Sequence, residues 1–506
     1  MSDASTKTAL RSDARLVVIE SPAGCGKTFH GAEYAREIAG RINGGRVLIL
    51  THTHAACDVF ASRTRRTATR VDIRTIDSLI AQIASAYHTS LGLPGDTGAW
   101  ARQNNGYAVL AARVAALLRA SAMIGQSLAE RYPIVICDEH QDASAEQHSV
   151  AMACHKAGAS VRVFGDPMQR IYGRSANSLI EADNRRWEEL KRDADIYEEL
   201  DEPHRWADGS DSLGRWILEA RDALREGGKV NLRHSLPPSV SVIVAENRSP
   251  KPGGYQLTSA EGKPIYDLVN SMKSLLVLAS YNETVRNLRA FFGRSLPIWE
   301  GHTRENLSGL IGLVQKDRGN AACIASALVT FLNGVATGFS ASAYGNTLLA
   351  EVTEGCVAKR SGKPAKLQAL GRLILDQPNH EGVANVLRKL NELIATDPSF
   401  ENVKLDHRQE FWDAIRIGQF DDPYEGFAEL SRRRSYARPA LPPKAISTIH
   451  KAKGLECSDV LVMPCDAKHF GNSFAPRCRL YVAMSRATRS LTFVVSRENP
   501  SPLIML

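Results

Sequence analysis

LVVIESPAGCGKT (16–28) starts as an apolar run and ends as a loop of small residues closed by a lysine and a threonine. A helical pattern follows directly. This order has a physical logic. A strand end, a loop without bulky side chains and a helix N-terminus together turn backbone N–H groups toward one point, where they cradle phosphate oxygens. Lys27 is placed to reach the outer phosphates of a nucleotide, and the Thr28 hydroxyl to hold a metal ion. Ser21, Ala23, Gly24, Cys25 and Gly26 form the loop itself. Cys25, beside a helix N-terminus and Lys27, is either a small loop-filling residue or a thiol with a favoured thiolate that could act as a redox brake.

Outward from this loop, short apolar runs alternate with amphipathic segments. RVLIL (46–50), IVIC (134–137) and VRVF (161–164) read with LVVIE as buried parallel strands, and 29–42, 76–88 and 143–157 as helices between them. The same pattern returns in LLVLAS (275–280), NETVRNLRAFF (282–292), DVLVMPC (459–465) and LTFVVS (491–496). The expectation is an α/β protein of two lobes, each a parallel sheet flanked by helices, with a reduced and mostly helical insertion. The first lobe is expected over 1–205, with a small helical insertion near 80–130. The second is expected over 206–300 plus 440–506, with 301–439 as helical insertion and linker. RRRSYARPALPP (432–443) reads as a basic linker back into the second lobe.

The bulk composition agrees with a globular chain. Of 506 residues, 43% are hydrophobic and 23% charged, and the net charge of +8 leans toward a polyanionic partner. No apolar run reaches the ~20 residues of a membrane helix, and no apolar leader opens the chain, so a cytoplasmic location is expected. The nine cysteines include no C-x-x-C pair and read as reduced thiols.

A second chemical block is PIVICDEHQD (133–142), a strand ending in paired carboxylates. Asp138 at the strand end suits a divalent metal, and Glu139 suits a general base that orients or deprotonates water. In VRVFGDPMQRIYG (161–173), Gln169 falls just past another strand, where a carboxamide can sense an outer phosphate.

With these blocks in hand, the sequence resembles the UvrD/Rep family of superfamily 1A helicases. The resemblance runs in the family's order through SPAGCGKT, LTHTHAACDVFASR (50–63), IRTIDSL (73–79), CDEHQD, GDPMQRIYG, ELDEPHRW (199–206), STIHKAKGLE (447–456) and RLYVAMSRA (479–487). It implies two RecA-like lobes with ATP and Mg2+ in the cleft between them and a DNA helicase or translocase activity on single-stranded DNA, directed 3′ to 5′ from a 3′ overhang. By the same resemblance, Arg205 and Arg486 match arginine fingers, His204 the aromatic that stacks on the base, and Gly454 and Glu456 the block that contacts ribose. Thr51, His52, Thr75, Tyr172, His450 and Lys453 match positions along the nucleic-acid path.

The chain departs from the family pattern at several points. His204 replaces a tyrosine, His52 a phenylalanine and Asp77 a histidine, no glutamine precedes the phosphate loop, and GRSAN (173–177) lacks a second aromatic after Tyr172. The compact layout also loosely resembles helicase subunits of Gabija-type antiviral systems. An alternative reading is therefore a nucleic-acid-regulated ATPase switch or sensor, with a nuclease partner.

Overall fold

The computed structural model describes residues 2–65, 69–103, 106–172, 177–250, 254–300, 304–437 and 440–506. The residues GRSA after Tyr172 lie outside these. The chain divides into two compact units, Met1–Phe292 with Pro443–Leu506, and Gly293–Pro442.

The first unit holds two large parallel sheets and a two-stranded parallel pair, Val230–Asn231 with Ile504–Met505. One large sheet is formed by β1 (Leu16–Glu20), β2 (Val47–Thr51), β3 (Val71–Thr75), β4 (Ile134–Cys137), β5 (Ser160–Gly165) and β6 (Ile196–Glu199) in the order β3-β2-β4-β5-β1-β6. The other is formed by β7 (Val240–Val244), β8 (Leu275–Ala279), β9 (Lys444–Thr448), β10 (Cys457–Cys465) and β11 (Ala487–Val495) in the order β9-β8-β10-β11-β7. Every pair in both sheets is parallel. A parallel sheet has to be covered on both faces, and the strand residues divide accordingly. Leu16, Val18, Leu48, Leu50, Val135 and Val163 pack into one core. Val17, Ile19, Val47, Ile49, Ile136 and Phe164 pack into another. The helices α1 (Ser2–Arg11) and α2 (Lys27–Ala39) help to cover the second face, and α3 (Ile76–Ala86) the first. This is the α/β architecture that the alternation predicts.

Four strands escape the apolar-run reading: β3 (VDIRT), β6 (IYEE), β7 (VSVIV) and β9 (KAIST). β3, β6, β7 and β9 lie at sheet edges.

The second unit is largely helical, around a core that includes Leu310, Leu328, Phe331, Leu370, Leu387 and Phe411. Here the linker reading of 432–443 needs correction. A helix runs over Pro423–Ala437, and Arg434 in its last turn donates to the buried Asp413 at 2.5 Å. Arg432, Arg433 and Arg434 therefore continue a helix. Among the described residues, no single helix is long and apolar enough to cross a membrane.

The two sheets of the first unit are joined through α4 (Asp211–Arg225), which holds a buried charge cluster. Arg221 is 1% exposed; its Nη2 lies 2.5 Å from Glu20 at the end of β1 and 2.9 Å from Asp166 just past β5. Removing one member of a buried ion cluster strands the others without a counter-charge, at a cost of about 3–5 kcal/mol. Arg221→Ala should therefore lower the unfolding free energy by about that amount in urea titrations. A loss below about 1 kcal/mol would mean that Glu20 and Asp166 find other partners.

Candidate functional site: the loops between two parallel sheets

The phosphate-loop candidate is fixed at both ends. The Ser21 N–H donates to Gly165 O at 2.8 Å, which extends the β1–β5 ladder by one bond. Gly24 and Gly26 have φ of +81° and +83°, a region that L side chains avoid. A Cβ on Gly24 would also stand 2.6 Å from Trp206 Cζ3 and 2.8 Å from Arg205 Cβ. Lys27 then opens α2. From the other sheet, the Tyr481 hydroxyl accepts the Ala23 N–H at 2.7 Å.

Cys25 is fully buried in this loop. Burial, reinforced by Asp166, pushes its thiol up to about 12. Of the two readings of Cys25, this favours the loop-filling one, because desolvation outweighs the nearby cations.

The acidic pair stands opposite. The Asp138 N–H donates to Leu50 O at 2.8 Å, just past β4. Glu139 adopts a left-handed conformation, φ 52° and ψ 37°, which costs a residue with a side chain about 1–3 kcal/mol and persists where the surroundings enforce it. Its Oε1 lies 2.6 Å from Lys27 Nζ, and its Oε2 accepts from the Gln141 amide. Burial alone would raise Glu139, but the Lys27 and Lys453 ammonium groups outweigh it and hold the carboxyl well below the usual range.

Asp138 behaves oppositely. Burial pushes it up to about 7, and its Oδ1 is a buried acceptor with no hydrogen-bond donor. A hard divalent cation takes oxygen ligands of this kind. Asp138 and the half-buried Thr28 hydroxyl fit Mg2+ and are the residues that would hold it.

A third group of side chains ties the strand ends together. The Gln169 amide nitrogen donates to Asp166 Oδ2 at 2.9 Å, so in this conformation the carboxamide is engaged by the cluster that Arg221 anchors. Lys453, in the loop after β9, turns inward. Its Nζ donates to Asp142 Oδ2 at 2.5 Å and to Gln169 O at 2.9 Å, and lies 4.8 Å from the Tyr172 ring centre. The Tyr172 hydroxyl donates to His450 O at 3.0 Å, while 44% of the residue stays exposed.

The arginines occupy the other side of the same region. Arg205 Nε lies 2.8 Å from Glu456 Oε1, its Nη1 donates to Ser485 O at 2.7 Å, and its own N–H donates to Gly24 O at 3.1 Å. Trp206 is fully buried and donates its indole N–H to Ala487 O at 2.6 Å. Arg486 is buried against Val482 O, Leu455 O and Ser485 Oγ. Burial and the neighbouring Arg205 both press Arg486 below the ordinary guanidinium range, so an arriving polyanion would relieve two like charges at once. Gly454 has φ +85° with open space around it, so backbone conformation and not crowding requires glycine there. His204 flanks Gly26: its Cδ2 lies 3.2 Å from where a Cβ on that glycine would be.

The remaining positions matched to the nucleic-acid path are engaged locally. The Thr51 hydroxyl donates to Thr53 O at 3.1 Å, and Thr75 caps α3 by accepting the Ser78 N–H. His52 is half-buried, and burial lowers its pKa. Asp77 accepts the Gln147 amide at 2.7 Å. Sequence reading gave no role to Tyr481, Asp142, Asp166 or Arg221. Tyr481, Asp142 and Asp166 lie inside quoted motif blocks, but nothing in the sequence says that Tyr481 reaches Ala23, that Asp142 reaches Lys453 or that Asp166 reaches Arg221.

The state of Asp138 has a measurable consequence. Its proton competes with a cation, so Mn2+ affinity of the nucleotide-free protein should fall as pH drops through about 7. Affinity should level off above that pH, where the carboxylate is fully ionised. Titration calorimetry between about pH 8 and about pH 6 should show this loss. A flat profile would exclude Asp138 as the ligand.

Family comparisons agree with this geometry. A family model described as an AAA domain matches residues 3–231, and one described as a UvrD-like helicase C-terminal domain matches residues 444–494. No curated protein matches the chain at a significant level. The first match covers the sheet with the phosphate loop and acidic pair, and the second covers β9, β10 and most of β11, with Lys453, Glu456, Tyr481 and Arg486. Together the two matches support a helicase-type ATPase similar to the UvrD/Rep-like superfamily 1 helicases.

Proposed function

We propose that this protein hydrolyses ATP to move along single-stranded DNA, 3′ to 5′, as a translocase. The observation that supports it most is Lys453. This residue of the second sheet donates to Asp142, three residues beyond Glu139, and to the backbone of Gln169. Movement of the STIHKAKGLE loop is thereby tied to the loops of the candidate ATPase centre.

In the proposed reaction, the γ-phosphate of ATP takes over Lys27 from Glu139. The released Glu139 carboxylate accepts a proton from a water molecule as its oxygen attacks the γ-phosphorus. The bond to the β–γ bridging oxygen breaks, giving ADP and phosphate. Mg2+, when bound, neutralises charge on the outer phosphates. Arg205 and Arg486 supply planar cationic forks for charge that grows in the transition state. Glu456 gives up Arg205 and becomes available to the ribose, and His204 faces the base. Release of the products restores the Lys27–Glu139 and Arg205–Glu456 pairs. Each cycle thus alternates two sets of partners, and differential affinity for ATP shifts the population between them. DNA would pass along the face bearing Thr51, His52, Thr75, Tyr172 and His450, with the exposed Tyr172 ring as a stacking surface.

Glu139→Gln should cut DNA-stimulated turnover on the order of 10²-fold, or about 3 kcal/mol of barrier. ATP binding should be retained or improved, because the neutral amide no longer competes for Lys27. Arg205→Ala should lower turnover while leaving single-strand affinity nearly intact. Arg205→Lys should recover little, since an ammonium has no planar fork. Steady-state ATPase and fluorescence-anisotropy titrations measure both. Undiminished turnover in Glu139→Gln, or loss of DNA binding with intact ATPase in Arg205→Ala, would overturn the assigned roles.

A further inference from the structure

Three donors from separate elements converge beside the phosphate loop. Asp3 lies in the first turn of α1, His30 in the first turn of α2, and His204 in the turn that leads to Arg205. The Asp3 carboxylate stands between the imidazoles: Oδ1 is 3.3 Å from His30 Nε2, and Oδ2 is 2.9 Å from His204 Nε2. All three donor atoms fall within 4.8 Å of one another. His30 is 1% exposed, and neither of its ring nitrogens has a hydrogen-bond partner. Asp3 Oδ1 is likewise a buried acceptor without a donor. His204 and Asp3 share a hydrogen bond at 2.9 Å, whereas the 3.3 Å contact of His30 with Asp3 Oδ1 is not aligned as one, so among the described residues the deficit is confined to His30 and Asp3 Oδ1, and buried polar groups are otherwise nearly always paired.

The spacing suits a metal ion. Ligands about 2.0–2.1 Å from a tetrahedral centre lie about 3.3 Å apart along its edges. The Asp3 Oδ1–His30 Nε2 separation has this value, while Asp3 Oδ2 and His204 Nε2, at 2.9 Å, make a hydrogen bond that a bound ion would replace. Donor chemistry narrows the choice of ion. Two imidazoles and one carboxylate favour zinc-like ions, whereas Mg2+ takes oxygen ligands. The nearest further carboxylate is Glu202, whose Oε2 is 3.8 Å from His204 Nε2. Lys7 is drawn toward Glu33 at 3.6 Å, which softens its repulsion of a cation.

We propose that Asp3, His30 and His204 bind a divalent transition-metal ion of the zinc class. The ion fastens α1 to α2 and to the turn preceding Arg205, on the flank of the phosphate loop. His30 Nε2 lies only 3.5 Å from the Cβ position of Gly26, so the ion borders that loop. It is distinct from the Mg2+ expected on Asp138 and Thr28.

Cobalt(II) titration of the full-length, nucleotide-free protein tests this, read by visible d–d absorption and followed by displacement with zinc. A Cys323→Ser background removes an exposed thiol that could bind metal by itself. Asp3→Ala and His204→Ala change partly exposed side chains, so both variants should fold, and circular dichroism verifies it. One cobalt ion should bind in an imidazole- and carboxylate-rich environment, and zinc should displace it. Outer-shell changes alone cost metal sites about 10–100-fold in affinity, so each variant should lose at least that much. Zinc should raise the melting temperature of the parent and not of the variants. Equal cobalt affinity in parent and variants overturns the proposal, as does a melting temperature that zinc raises no more than Mg2+ does. Because no nucleotide is present, the outcome is independent of the ATPase reading.

Discussion

The contact between Lys27 and Glu139, 2.6 Å apart, organises the site. In the proposed reaction Lys27 serves as a cation for the phosphate and Glu139 as a base for the water, and in this structure each satisfies the other. Burying either charge alone would be costly, so the pair stabilises the charge state that the chemistry needs. The surroundings are built to hold it. Leu50 fixes the Asp138 backbone, Glu139 is kept in a left-handed turn, and Gln141 holds its second oxygen. In the proposed mechanism an arriving triphosphate displaces Glu139 from Lys27, which frees the base at the moment it is required.

Around this pair, contacts between the loops of the two sheets fall into kinds with different mechanical meaning. Trp206 and Arg221 are fully desolvated and bonded to both sheets or to the strand ends. Breaking them would expose a large aromatic or strand a buried charge, so they act as fixed joints. Arg205–Glu456, Lys453–Asp142, Tyr481–Ala23 and Tyr172–His450 are polar contacts between loops. Each can exchange one partner for another at modest net cost, since hydrogen bonds are replaced and not lost. A fixed joint beside exchangeable polar contacts permits small rotations and resists separation.

The central strands were legible because burial on both faces forces unbroken apolar runs, as in LVVIE and LLVLAS. The edge strands β6 and β9 were not, because IYEE and KAIST mix polar residues into positions that only pairing reveals. The loop residues Lys27, Asp138 and Glu139 could be named because backbone geometry demands small residues and strand ends next to them. Arg221, Asp142 and Tyr481 could not be assigned, since their partners lie far away in sequence and only the folded chain supplies them. Cys25 left two readings open in the sequence, and the three-dimensional surroundings, which bury it, favour the loop-filling one.

The central claim is that ATP turnover is coupled to travel along a strand. Its most direct test measures ATP consumed per bound strand against strand length, with single-stranded DNA saturating. A translocase consumes more ATP on longer strands until dissociation limits the run, so the rate should climb with length and then level off. A rate independent of length would contradict the account and identify a nucleic-acid-gated switch instead.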